Sequence, residues 1–145
     1  MQAGYATPKI DVRGAVIRDN KILLVQERMD GKWAMPGGWA DLGNAPASVA
    51  EHEVWEESGY EVKAEKVVAV LDANRIEPME FYHAFKIIFL CSLTGGEPRI
   101  SHETLAVDFF DLNNLPPLSI YRTNASMLQE VFAHVQDPNR RTVFD

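Results

Sequence analysis

Apolar positions change their spacing along the chain in a way that marks out strands and helices. In "VRGAVIRDNKILLVQER", Val12, Gly14 and Val16 alternate with their neighbours and Ile22 to Val25 run together. Two strands are expected there, turned at Asp19-Asn20. "WAMPGGWADLGNAP" breaks any period and reads as a loop. "APASVAEHEVWEES" returns to a helical period. Pro46 suits its first turn, Gly59 the position just past its end, and Asn44 or the residue after it the cap. "YEVKAEKVVAVLDAN", "EFYHAFKIIFLCSLTG" and "LAVDFFDL" read as strands, with "GGEP" at 95–98 as the turn between the last two. "NASMLQEVFAHVQ" reads as a closing helix, with Met127, Leu128, Val131, Phe132 and Val135 at helical spacing. Strands with two substantial helices predict an α+β fold, a mixed β-sheet with helices packed on it, in one domain spanning residues 1–145.

The first helix carries an electrostatic problem. "HEVWEESGY" crowds Glu53, Glu56 and Glu57 towards its C-terminal end, with Glu51 just before. The helix dipole is negative there, and each acid is disfavoured by about 0.3–1 kcal/mol. At about 100° per residue, with Ala50 at zero, Ala47 falls near 60° and Val54 near 40°, forming a buried stripe. On the same wheel Glu57 falls at about −20°, Glu53 at about −60° and Glu56 at about −120°. The acids therefore border the buried stripe, while Ser48, His52 and Trp55 take the far side. Two readings meet these facts. Like charges at i, i+3 and i+4 repel, and a hard divalent cation such as Mg²⁺, which takes carboxylate oxygens and shares itself with phosphates, would relieve them. An acidic surface helix needs no ion, because Glu is a good helix former.

Composition narrows the classes. The formal net charge is −7, which argues against a protein that coats nucleic acid through a basic face. An anionic small substrate stays compatible, since a bound cation inverts the local sign. Cys91 is the single cysteine. It excludes an internal disulfide and, inside "KIIFLCSL", is expected to be a buried small hydrophobe. "MQAGYATPKI" lacks the apolar core of a signal peptide, and no apolar run approaches the roughly 20 residues of a membrane span. The cytoplasm is the expected location, with no membrane partner. His52, His83, His102 and His134 show no metal-ligand spacing.

The segment "GGWADLGNAPASVAEHEVWEESGY" resembles the box of the Nudix hydrolase family, G-x5-E-x7-R-E-U-x-E-E-x-G-U with U bulky and apolar. Gly38 opens it, and Glu53, Val54, Glu56, Glu57, Gly59 and Tyr60 fall on matching positions without a gap. Two positions depart. The first box glutamate is Asn44 and the box arginine is His52. In the family those two look like an ion pair that ties the loop to the helix. Their joint replacement predicts a neutral hydrogen bond between Asn44 and His52 instead.

The resemblance implies a Nudix-like α/β/α sandwich and hydrolysis of a nucleoside diphosphate linked to another moiety, with ADP-ribose as the first expectation. A triphosphate pyrophosphohydrolase of the MutT type and a nucleotide-binding module with weakened catalysis are the alternatives. It implies Mg²⁺, with Mn²⁺ as a substitute, on Glu53, Glu56 and Glu57. Gly37 and Gly38 would let the backbone approach metal or phosphate closely. The general base in such enzymes is a box glutamate or one on a later loop, where Glu103 is the first candidate and Glu97 the second. Arg28, Lys32 and Arg75 are candidates to bind phosphate, and Trp33, Phe81 and Tyr82 to stack on a base. Phe85, Phe89, Phe109 and Phe110 are expected in the core. A small-molecule nucleotide is the expected partner, with no stable nucleic-acid partner. Members of the family are often homodimers, and an exposed Trp55 is compatible with such a contact.

Overall fold

The computed structural model describes residues 4–76 and 83–145. Its strands are β1 (Lys9–Arg18), β2 (Lys21–Glu27), β3 (Trp33–Ala34), β4 (Gly37–Trp39), β5 (Tyr60–Asp72), β6 (Ala84–Gly96), β7 (Thr104–Phe110) and β8 (Val143–Phe144). Its helices are α1 (Pro46–Ser58), α2 (Ala73–Ile76) and α3 (Ala125–Gln136). The strands run β3-β2-β1-β6-β5-β8 across a mixed sheet, with β4 also on β1 and β7 on β2.

β1 is the hinge of this arrangement. It turns back into β2 through Asp19 and Asn20, which take φ of 53° and 61°; left-handed residues at both central positions match the twist of a tight hairpin. Towards its start, β1 pairs parallel with β6, Asp11 opposite Lys86, and antiparallel with β4, Arg13 opposite Gly37. Its buried side chains alternate between two cores. Val12 and Val16 pack with Val49, Ala50 and Val54 of α1. Ala15 packs with Leu128, Val131 and Phe132 of α3. The helices thus cover opposite faces, and the expected α/β/α sandwich forms.

The helix boundaries follow local chemistry. α1 starts with Pro46 in its first turn and ends on Gly59 at φ 83°, a left-handed position that glycine enters without a Cβ penalty. Its cap is Ala45, with no side-chain hydrogen bond. α3 is capped by Asn124, whose Oδ1 accepts from the Met127 amide at 2.9 Å. Two aromatic or apolar assignments differ from the expectation. Phe85 is exposed, leaning edge-on against His83, and Val135 points to solvent. Phe89, Phe109 and Phe110 do join the two cores. Cys91 is buried, and burial pushes its thiol up to about 12, so it is an inert hydrophobe.

Candidate active site

The loop between β3 and α1 is fixed from three sides. The Met35 amide donates to Thr123 Oγ1 at 2.9 Å, and the Met35 carbonyl accepts from Arg13 Nη1 at 2.9 Å. The Gly14 amide donates to the Pro36 carbonyl at 2.9 Å. Gly37 is buried in the β1–β4 pairing, and a Cβ there would collide with the Val12 carbonyl and reach 2.5 Å from Arg13 Cδ. Gly37→Ala is therefore expected to cost about 1–3 kcal/mol of stability through overpacking, read from the midpoint of urea unfolding. An unchanged midpoint would show that this contact gives way freely. At Gly38 an added Cβ would stand 3.1 Å from Glu53 Oε1. The missing side chains bring bare backbone down onto the acidic helix.

The three helix acids divide by their angular positions. Glu57, nearest the stripe, is only 3% exposed. Its Oε1 is buried and has no hydrogen-bond partner. Burial chiefly, and then the contacts with Glu53 and Glu27, push its pKa up to about 9 despite the opposing charge of Arg13. Glu53 is half-buried beneath Gly38. Glu56 is partly exposed, 3.4 Å from His52 Nε2. That pairing corrects one expectation: His52 turns to Glu56, and among the described residues no hydrogen bond joins it to Asn44. The tie that the box provides between loop and helix is missing on that side.

The negative end of α1 is met by a cation that the sequence reading missed. Arg99 Nη2 donates to the Trp55 carbonyl at 3.0 Å, and its guanidinium lies 4.9 Å from the Trp55 ring centre. The Arg99 amide donates to the Ser58 carbonyl at 2.8 Å. The amide contact satisfies the Ser58 carbonyl, which the helix end leaves open, and the guanidinium is a second donor to the Trp55 carbonyl that the Gly59 amide already bonds.

Glu103 sits on a loop drawn to the same end. Thr104 Oγ1 donates to the Glu57 carbonyl at 3.3 Å, the Arg28 amide to the Glu103 carbonyl at 3.0 Å, and Arg28 Nε to the His102 carbonyl at 2.8 Å. The Glu103 carboxylate is exposed. Glu97 is exposed, its carbonyl packed at Gly59. Lys32 is exposed, and Trp33 packs edge-on against Phe110 at 4.8 Å. Arg75 falls in α2, but its side chain, like Phe81 and Tyr82, lies outside the described residues. The expected residues brought together are therefore Gly37, Gly38, Glu53 and Glu57, with the Glu103 loop beside them.

Six further charged side chains gather around this centre. Glu27, at the end of β2, is largely buried; burial raises its pKa, against the charges of Arg122 and Arg13 and with those of Asp30 and Glu103. Arg122 lies 3.8 Å from Glu27 and 3.5 Å from Asp30. Asp11 and Arg13 pair at 3.1 Å, and Lys86 Nζ bonds the other Asp11 oxygen. The signal for Asp11, Arg13 and Lys86 was legible: charged residues inside otherwise apolar strands. Arg122 and Arg99 lie in loops and carried no pattern.

The donor set fits Mg²⁺. It offers hard carboxylate oxygens, one of them buried and unpartnered. Among the described residues no three His, Cys, Asp or Glu side chains are grouped so that, as placed, they could hold a metal ion; Mg²⁺ is commonly held by one or two carboxylates, with water and phosphate oxygens filling its other places. A separate cleft of about 340 Å³ lies between the start of α3 and the β5–β8 edge. None of its lining residues belongs to the acidic centre, and it carries no comparable charge arrangement.

Known proteins share this frame. A family profile described as NUDIX domain matches residues 8–131. A protein of Bacillus subtilis (strain 168) named "Putative ADP-ribose pyrophosphatase YjhB" is 43% identical over 145 residues, 99% of this chain and 70% of that protein. The crystal structure of an ADP-ribose pyrophosphatase from Streptococcus suis superposes with a TM-score of 0.89 at 40% identity, covering 96% of this chain and 100% of that one. The crystal structure of a UDP-X diphosphatase does so with a TM-score of 0.89 at 32% identity, covering 99% of this chain and 70% of that one.

Proposed function

Because the chain belongs to the Nudix hydrolase family, we propose that it is a Mg²⁺-dependent hydrolase that cleaves the diphosphate bond of a nucleoside diphosphate linked to another moiety, with ADP-ribose first among candidates. The observation that carries the reading is the buried, unpartnered Glu57 oxygen beside Glu53, under a loop stripped to backbone at Gly37 and Gly38. The similar proteins support the substrate class, being named for ADP-ribose and UDP-X.

Glu53, Glu56 and Glu57 would hold Mg²⁺, or Mn²⁺ in its place. When bound, the ion neutralises phosphate charge and lowers the pKa of a coordinated water. The chain's own residues do the rest. Gly37 and Gly38 bring bare backbone close against Arg13 and Glu53. Glu57, with its raised pKa, keeps its proton near neutral pH until a cation compensates the charge. Glu103, exposed on a loop tied to the Glu57 carbonyl by Thr104, is the candidate to take a proton from attacking water. Arg28, Lys32, Arg75 and Tyr82 are the candidate substrate contacts.

A panel of ADP-ribose, nucleotide sugars and nucleoside triphosphates, incubated with Mg²⁺ and resolved by chromatography, tests this. Nucleoside monophosphate plus a phosphorylated sugar is expected. Monophosphate plus pyrophosphate from triphosphates would move the enzyme to the MutT type. Binding of a nucleotide without any turnover would leave a sensing module and sink the hydrolase reading.

A further inference from the structure

We propose that Arg13 is a positioning residue that takes over, from inside the sheet, the loop-anchoring task that the family's box gives to an ion pair; this rests on the hydrolase reading. The box positions are Asn44 and His52, both exposed, and His52 pairs with Glu56. Among the described residues no hydrogen bond or ion pair joins Asn44 to His52. Arg13 holds the loop from the other side. Nη1 bonds the Met35 carbonyl at 2.9 Å, and the stem lies against Gly37, the residue opposite it in the β1–β4 register.

The guanidinium is itself aimed by buried partners. Nε donates to Asp11 Oδ1 at 3.1 Å. Asp11 is bonded in turn by Lys86, whose Nζ also donates to the Arg122 carbonyl at 2.7 Å. Arg13 and Asp11 are 5% and 7% exposed and Lys86 is wholly buried, so the orientation has little freedom. The same positive charge bears on the carboxyls of Glu57 and Glu27. One side chain thus fixes a loop carbonyl and sets the field at the most buried acid. Arg13 reaches Asp11 through Nε and the Met35 carbonyl through Nη1, two nitrogens of one rigid plane, whereas a lysine there would offer one nitrogen without that fixed fork.

Two variants separate this role from a merely structural one. Arg13→Met removes fork and charge; Arg13→Lys keeps the charge alone. Arg13→Met should lower kcat about thirtyfold with KM within about threefold of native, the size expected when reacting groups are slightly misplaced. Mn²⁺ alone, titrated by the loss of its free-ion resonance signal, should bind Arg13→Met about threefold to tenfold tighter, because a neighbouring positive charge is gone. Arg13→Lys should show near-native Mn²⁺ affinity and a kcat about tenfold down. Damage to the fold alone would weaken Mn²⁺ binding and melting together, and that result overturns the proposal. So does a kcat within about threefold of native in both variants. If Arg13→Met does not fold, Arg13→Lys decides by the same kcat criterion. Absence of turnover by the native protein across the panel is a separate outcome that removes the hydrolase reading; the Mn²⁺ comparison then still judges Arg13, and equal affinities in native and Arg13→Met overturn it.

Discussion

Glu57→Gln is expected to slow turnover about thousandfold, with the fold kept and the metal-free protein melting higher than native. Burial, and the carboxylates of Glu53 and Glu27 beside it, raise Glu57 from 4.5 to about 9. The folded protein therefore binds a proton that the unfolded chain has released. The stabilisation this represents is complete below pH 4.5 and is lost as pH rises towards about 9. Metal-free native protein should weaken through neutral and mildly alkaline pH for this reason. Glutamine does not titrate there, so the variant loses that part of the slope and gains about 3 °C in Tm at the alkaline end. Melting curves across pH in a chelating buffer read this directly. Mg²⁺ binding to the native protein near neutral pH should also release up to about one proton, detected by calorimetry in buffers of different ionisation enthalpy, and the variant should release none. An unchanged rate removes Glu57 from the site, and parallel pH slopes remove the buried-carboxyl account.

Lys86→Ala is expected to lower stability by about 3–5 kcal/mol. Lys86 is wholly buried, with Nζ bound to Asp11, to the Arg122 carbonyl at 2.7 Å and to the Tyr121 carbonyl at 3.4 Å. Burial pulls its pKa down to about 8, with Asp11 holding it up against that pull. Burial would raise Asp11, but Arg13 and Lys86 outweigh it and keep Asp11 below its ordinary value. Alanine leaves Asp11 with half its compensation, two carbonyls without a donor, and a void the length of the lost stem. Lys86→Met refills the void and should cost clearly less. Urea midpoints for both variants settle it; a loss below about 1 kcal/mol for the alanine variant would show that the buried charge pair does not hold this region.

Much of the centre was legible because helical periodicity is strict. Angular position alone placed Glu57 closest to the buried stripe, and it is the acid that is buried. The seven-position match from Gly38 to Tyr60 then turned an awkward helix into a recognisable box. What the sequence concealed was what compensates the acids. Arg99 and Arg122 approach through loops, whose course no period dictates. Asp11, Arg13 and Lys86 were visible as charges in apolar strands. Their convergence needed the β1–β6 register, which a parallel pairing with no hairpin to set it does not disclose. The Asn44–His52 bond failed for a simpler reason. His52 has Glu56 one helical turn away on its own helix, and the nearer partner prevailed.

The parallel seating of β6 on β1 also has a kinetic side. Asp11 and Lys86 stand 75 residues apart in sequence, so their meeting waits for the closure of a very long loop, whereas the β1–β2 hairpin closes over two residues. Long closures are slow and come after local ones. A bond completed after the rate-limiting barrier governs how fast the protein comes apart rather than how fast it forms. The buried lysine is thus a latch on lifetime: in stopped-flow experiments its removal should steepen the escape from the native state and leave the refolding limb almost where it was.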